Sequence, residues 1–183
     1  MTGRPSGNWH PGERRPDRAS MLRVDQAGEY GATRIYAGQL AVLRRNSPAA
    51  KLIARMDGQE QRHLARFNAL MATRRVRPTV LQPLWNVAGF ALGAATALMS
   101  EQAAMACTDA VETEIDRHYG QQLDQLGDDD PEFAADIKEV RAEELEHRDA
   151  ARKAGAAQAF GYPLLTATVR AACRVAIGLS KRI

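Results

Sequence analysis

The stretch "RAEELEHRDA", residues 141–150, is charged enough for any solvated helix face, yet it sets Glu144 three residues before His147. The same spacing recurs in "DGQEQRHLA", residues 57–65, where Glu60 precedes His63. Residues i and i+3 of a helix share a face, about 4.5 Å apart along the axis, so each pair offers a carboxylate and an imidazole to one point. The sequence has only four histidines, and two of them follow a glutamate by three. That recurrence separates the pattern from an accident of a polar helix.

Working outward, each pair has a reflected carboxylate. In an antiparallel helical hairpin, residues equally distant from the turn lie at similar heights. Halfway between Glu29 and His63 falls Asn46, in the helix-breaking "NSP" at 46–48; halfway between Glu112 and His147 falls the "GDDDP" at 127–131. Glu60 lies 31 residues beyond Glu29, and Glu144 lies 32 beyond Glu112. The two halves repeat one plan: a glutamate, a turn, then Glu-x-x-His.

Proline, glycine and aspartate punctuate the chain into helices. The pattern predicts helices from Asp25 to about Arg45 and from Pro48 to about Val76, the second stopped by Arg77-Pro78. The apolar "LWNVAGFALGAATALMS" then merges into a long helix reaching Leu126. A fourth runs from Pro131 to about Ala154, N-capped by one of Asp128, Asp129 or Asp130, and a last one follows "GYP" at 161–163. Alanine is abundant, aromatics are 5%, and no alternating strand-like run appears, so the class is all-α. Two helical hairpins joined by a long apolar crossover, with a C-terminal amphipathic helix, make a ferritin-like four-helix bundle over residues 21–183. Four Glu and two His are the ligand set of the di-metal carboxylate bundles: one Glu from each of two helices and Glu-x-x-His from each of the other two. Carboxylate and imidazole donors suit iron or manganese.

Other features bound the function. The net charge of +3 is too small for a nucleic-acid binder. Cys107 and Cys173 form no C-x-x-C pair and read as two buried thiols of a reducing compartment. Residues 1–20, rich in Pro, Gly and Arg, read as a disordered arm without a secretory leader's apolar core; a mitochondrial presequence stays open as an alternative, although Glu13, Asp17 and the prolines argue against an amphipathic one. The apolar run 84–99 is short of the ~20 residues that span a bilayer, which leaves a helix lying in the membrane interface or one packed in the core. In the last helix Leu165, Val169, Ala172, Cys173, Ala176 and Leu179 form an apolar stripe beside Arg170, Arg174, Lys181 and Arg182, a pattern that suits an anionic membrane surface or a partner face. Tyr119, seven residues past Glu112, and His118 read either as a relay beside the site or as a core tyrosine and an exposed histidine. Glu143, just before Glu144, reads either as a residue that orients a ligand imidazole or as a solvated one.

The words "LRVDQAGEYGATRIYAGQ" (22–39), "MSEQAAMACTDAVETEIDRHY" (99–119), "RAEELEHRDA" and "CRVAIGLSKRI" (173–183) closely resemble the demethoxyubiquinone hydroxylase family, over residues 21–183. The resemblance implies a di-iron monooxygenase that hydroxylates the quinone ring of a polyprenyl demethoxyubiquinol with O2. It implies two irons per chain, with Glu29 and His63 on one, Glu112 and His147 on the other, and Glu60 and Glu144 bridging. Tyr119 and His118 match family positions proposed to help move electrons. One oxygen atom enters the ring and the other leaves as water, so two external electrons are needed. With no G-x-G-x-x-G nucleotide motif in the chain, these arrive through the quinone, from NADH, or from a partner. The implied setting is a peripheral one, on the cytoplasmic face of a bacterial inner membrane or the matrix side of the mitochondrial inner membrane, with ubiquinone-biosynthesis partner proteins. The competing readings are another ferritin-like di-iron oxidase or peroxidase, and a non-catalytic scaffold on the membrane.

Overall fold

The computed structural model describes residues 16–182 as six helices: α1 Arg18–Val42, α2 Pro48–Arg74, α3 Gln82–Met99, α4 Glu101–Leu126, α5 Pro131–Lys153 and α6 Tyr162–Ser180. A 3-10 turn, Ala156–Gln158, precedes α6, and no strand occurs among the described residues. Capping chemistry sets the ends. Asp17 accepts from the Ser20 amide, while Ser47 and Asp130 cap α2 and α5, each followed by a proline at the first turn, where its missing N–H costs nothing. At the other end of α2, Arg75 adopts φ 53°, the left-handed conformation that closes a helix.

Two boundaries depart from the sequence reading. α1 begins at Arg18, inside the segment expected as an arm; residues 1–15 of that arm lie outside the described residues. The apolar run does not merge into α4. Ser100 is extended at φ −175° and ψ 167°, and its hydroxyl accepts from the Ala103 amide, so α3 and α4 are separate helices. Continuous hydrophobicity hid a break made by one N-cap.

The hairpins α1–α2 and α4–α5 form the four-helix bundle, with α3 laid on α1 and α6 on α4. α2 buries Ile53, Met56, Glu60, His63, Phe67 and Met71; α5 buries Phe133, Ile137, Val140, Glu144, His147 and Ala151. Steps of three and four keep each set on one face. The Glu-x-x-His pairs therefore stand in the stripe that would otherwise carry aliphatic side chains. Along α2 they divide one apolar cluster, containing Ile53, Met56 and Met105, from another containing Phe67, Leu126 and Phe133.

α3 meets α1 through backbone. A Cβ on Gly38 would lie 2.1 Å from the Phe90 carbonyl oxygen, and one on Gly93 would lie 1.9 Å from that of Ile35. Contact through so narrow a strip leaves Leu84, Val87, Leu98 and Met99 exposed, so α3 is neither a core helix nor a span. No helix among the described residues is long and apolar enough to cross a membrane. α6 is held by charge: Arg170 Nε and Arg174 Nη1 lie 2.7 and 2.8 Å from Oε1 of Glu114, itself 2% exposed. The two arginine side chains are still 40% and 46% exposed, so they tie α6 to α4 while remaining at the surface. Cys107 is fully buried and Cys173 only half-buried, which corrects the expectation for the second thiol; neither is in a disulfide.

Candidate metal centre

All six residues of the repeated plan converge. Glu29, Glu60, His63 and Glu144 bring one donor atom each within 4.8 Å of one another, as do Glu60, Glu112, Glu144 and His147. Glu60 and Glu144 belong to both groups. His63 Nδ1 lies 3.4 Å from Glu29 and 3.0 Å from Glu144; His147 Nδ1 lies 3.0 Å from Glu60 and 3.2 Å from Glu144. Each hairpin supplies three donors to one group and one donor to the other.

The inward atoms have no hydrogen-bond partner: Oε2 of Glu29 and Glu112, both oxygens of Glu60 and Glu144, and Nδ1 of both histidines. Buried polar atoms are normally paired, and each left unpaired would cost about 1–3 kcal/mol. Their convergence fits a cation. Burial and mutual repulsion push the Glu60 and Glu112 carboxyls well above their ordinary range, and burial also raises Glu29. Burial works against a charged Glu144 too, but the imidazoles of His147 and His63 packed against it outweigh it and hold that carboxyl at about 2. Burial opposes charging His63, yet the adjoining carboxylates of Glu144 and Glu29 win and raise it to about 10. The site draws in positive charge, as protons or as metal.

The outer nitrogens fix the imidazole tautomers. His63 Nε2 lies 3.2 Å from a carboxylate oxygen of Glu143, and Gln59 Nε2 donates to the same oxygen at 3.1 Å. A carboxylate only accepts, so the Gln59 amide nitrogen faces Glu143 and its Oε1 faces His147 Nε2 at 3.1 Å. Each neutral histidine then carries its proton on Nε2 and turns a Nδ1 lone pair inward. Of the two readings of Glu143, the structure shows the one that orients an imidazole, whereas Gln59 went unnoticed. Both stand one residue before a Glu-x-x-His glutamate, and each serves the histidine of the other motif.

This exchange belongs to a two-fold repeat in which α1 residues correspond to α4 residues 83 positions later. Tyr36 donates to Glu112 Oε1 at 2.6 Å, and its counterpart Tyr119 donates to Glu29 Oε1. Gln39 reaches Thr108 while its counterpart Gln122 reaches Asp25 at 2.7 Å. Tyr36 was missed although it stands seven past Glu29, as Tyr119 does past Glu112. The repeat breaks at Asp25, buried and 3.3 Å from His118 Nε2, where α4 has Thr108. His118 is buried, against one of its two readings, and lines a surface cavity of about 170 Å³ with Asp17, Ser20 and Lys181. Burial raises the Asp25 carboxyl, and His118 opposes that rise.

A second, apolar cavity of about 280 Å³ runs between α3 and α6 over α1 and α4, lined by Gly28, Gly31, Trp85, Val111, Ile115 and Cys173 among others. Gly28 and Val111, which line it, adjoin Glu29 and Glu112 in sequence, while none of the six converging residues is itself part of the lining. Trp85 Nε1 donates to Ser180 Oγ at 3.1 Å, tying the start of α3 to the end of α6.

Residues 17–180 match the family described as ubiquinone biosynthesis protein COQ7. A 3-demethoxyubiquinol 3-hydroxylase of Rhodospirillum rubrum is 55% identical over 163 residues, covering 89% of this chain and 77% of the relative. The human NADPH-dependent 3-demethoxyubiquinone 3-hydroxylase, mitochondrial, is 54% identical over 167 residues, covering 89% and 76%. The 5-demethoxyubiquinone hydroxylase, mitochondrial, of Saccharomyces cerevisiae is 42% identical over 179 residues, covering 89% and 77%.

Proposed function

The chain belongs to the COQ7 family, and from that membership we propose that it is a 3-demethoxyubiquinol 3-hydroxylase: a monooxygenase that adds a ring hydroxyl to a polyprenyl demethoxyubiquinol in ubiquinone biosynthesis. The observation that carries the di-iron form of this reading is the pair of buried donor groups sharing Glu60 and Glu144. Glu29 and His63 would hold one iron, Glu112 and His147 the other, with Glu60 and Glu144 bridging. Iron, when bound, supplies the electrons that reduce O2.

The chain's own residues do the rest. Glu143 and Gln59 keep both Nδ1 lone pairs inward, and Tyr119 and Tyr36 pin the outer carboxylates through one oxygen each. Burial and the adjoining carboxylates keep both phenols protonated, so they remain donors. His118, between the polar surface cavity and Asp25 and with its ring 6.0 Å from that of Tyr119, suits a relay beside the site. The apolar cavity receives the ring and keeps water from it. Exposed Leu84 and Val87 of α3 and Leu164, Val175 and Leu179 of α6 suit attachment to the membrane surface in which a polyprenyl tail dissolves. The two electrons come from a reduced nicotinamide nucleotide or a partner. The human relative has NADPH in its name, which widens the expectation beyond NADH.

Anaerobic loading with Fe(II) tests the site: about two irons per chain are expected, and fewer than about one, with Glu144→Ala indistinguishable, favours a non-catalytic scaffold. In cells lacking the protein, wild type restores ubiquinone and His147→Ala accumulates demethoxyubiquinone. Full restoration by His147→Ala would overturn the ligand assignment.

A further inference from the structure

Glycine inside a helix lowers its stability relative to alanine, so a mid-helix glycine calls for a reason. α1 has three, Gly28, Gly31 and Gly38, and the structure explains only the last by packing. A Cβ on Gly38 would strike the backbone of α3, whereas a Cβ on Gly28 or Gly31 would meet nothing within 4 Å. Neither has the positive φ that favours glycine, since Gly127, Gly155 and Gly161 are the glycines so placed. The two-fold repeat supplies an internal comparison. The α4 counterparts of Gly28 and Gly31 are Val111 and Glu114, so the plan of the half-bundle does not demand glycine there.

What Gly28 and Gly31 share is the apolar cavity, where they are part of the α1 wall together with Val24, Ala27, Ala32 and Ile35. Gly28 adjoins Glu29, and across the cavity Val111 adjoins Glu112. A cavity of roughly 150 Å³ accommodates benzene; at about 280 Å³ this one has room for a six-membered ring with small substituents. We propose that Gly28 and Gly31 determine ring specificity: the missing side chains leave the space in which the methyl- and methoxy-substituted ring lies beside the metal centre. The inference rests on the hydroxylase reading and deepens it. The space is held open at the expense of helix stability, since alanine at either position would otherwise be the better residue.

The test uses the full chain carrying Trp9→Phe, which leaves Trp85, itself in the cavity wall, as the only tryptophan. Quenching of Trp85 fluorescence by a methoxy-methyl-benzoquinone with one prenyl unit, and by unsubstituted benzoquinone, reports ring binding. Gly31→Leu is expected to weaken the substituted quinone at least tenfold and the unsubstituted one by less than threefold. Gly28→Ala and Gly31→Ala are expected to raise KM for the quinol with iron content unchanged and a thermal midpoint equal to or above wild type. Equal affinity of Gly31→Leu and wild type for the substituted quinone overturns the proposal, as does a fall in thermal midpoint in both alanine variants, which would make the glycines packing residues. If wild type neither binds the quinone nor hydroxylates the quinol, the hydroxylase reading fails and this inference with it. Wild-type turnover with unaffected variants sinks the inference alone.

Discussion

Glu143 shows why sequence left two readings of one residue open. It sits one step from Glu144, about 100° around the helix, and on α5 alone it points away from the ligand face. His63 and Gln59, both on α2, give it its role. No local pattern signals a partner on another element. The six proposed ligands were legible because two constraints, the i, i+3 spacing and the reflection through a turn, agreed on the same residues. Removing the Glu143 anchor should loosen the His63 tautomer: Glu143→Ala is expected to retain iron about 10–100-fold less well than wild type in a chelator competition. Titration gives a second prediction. His63 in the folded, metal-free chain titrates near 10 rather than 6.5, so its stabilisation is complete below 6.5 and is lost as pH rises through 10. Raised Glu60 and Glu112 act in the same direction, since their protonated folded forms are favoured above the ordinary carboxylate range. The thermal midpoint of the metal-free protein should therefore fall between pH 6.5 and 10. Metal loading should flatten that slope, and a midpoint rising with pH across this window would contradict the assignment.

Among the elements, α3 and α6 show two ways of attaching a helix to a bundle. α3 relies on backbone approach, so Gly93→Ala drives a Cβ into the Ile35 carbonyl and should cost about 1–3 kcal/mol, typical of overpacking, read as a lower denaturant midpoint. α6 relies on Glu114. Arg170→Ala with Arg174→Ala leaves that buried carboxylate facing only Arg117, at 3.4 Å, and should cost on the order of 3 kcal/mol. Adding Glu114→Gln should recover part of the loss, because the uncompensated charge is gone. A helical wheel showed these arginines as a basic flank of α6. It could not show that Glu114, on another helix, already holds them. The crossover failed differently: seventeen apolar or small residues read as one run, and Ser100, an ordinary N-cap type, was hidden within it.

The whole molecule was legible at the level of its repeat. Two hairpins and the layer of four glutamates and two histidines between them follow from punctuation and spacing, whereas the apolar cavity could not, because it lies between α3 and α6 and their placement rests on side-chain and backbone contacts across elements. The exposed apolar residues of both helices predict flotation of the protein with anionic liposomes, reduced by Val87→Glu with Leu164→Glu while iron content stays constant. Persistent solubility of wild type without binding would remove the membrane from the reading. The sharing of Glu60 and Glu144 has one more consequence. Since each hairpin lends a carboxylate to the other's group, a bound ion acts as a cross-link between the two halves of the chain. Hydrogen exchange along the buried faces of α2 and α5 should then slow together on loading, and a protein emptied of metal should open along the seam between its halves before either hairpin frays.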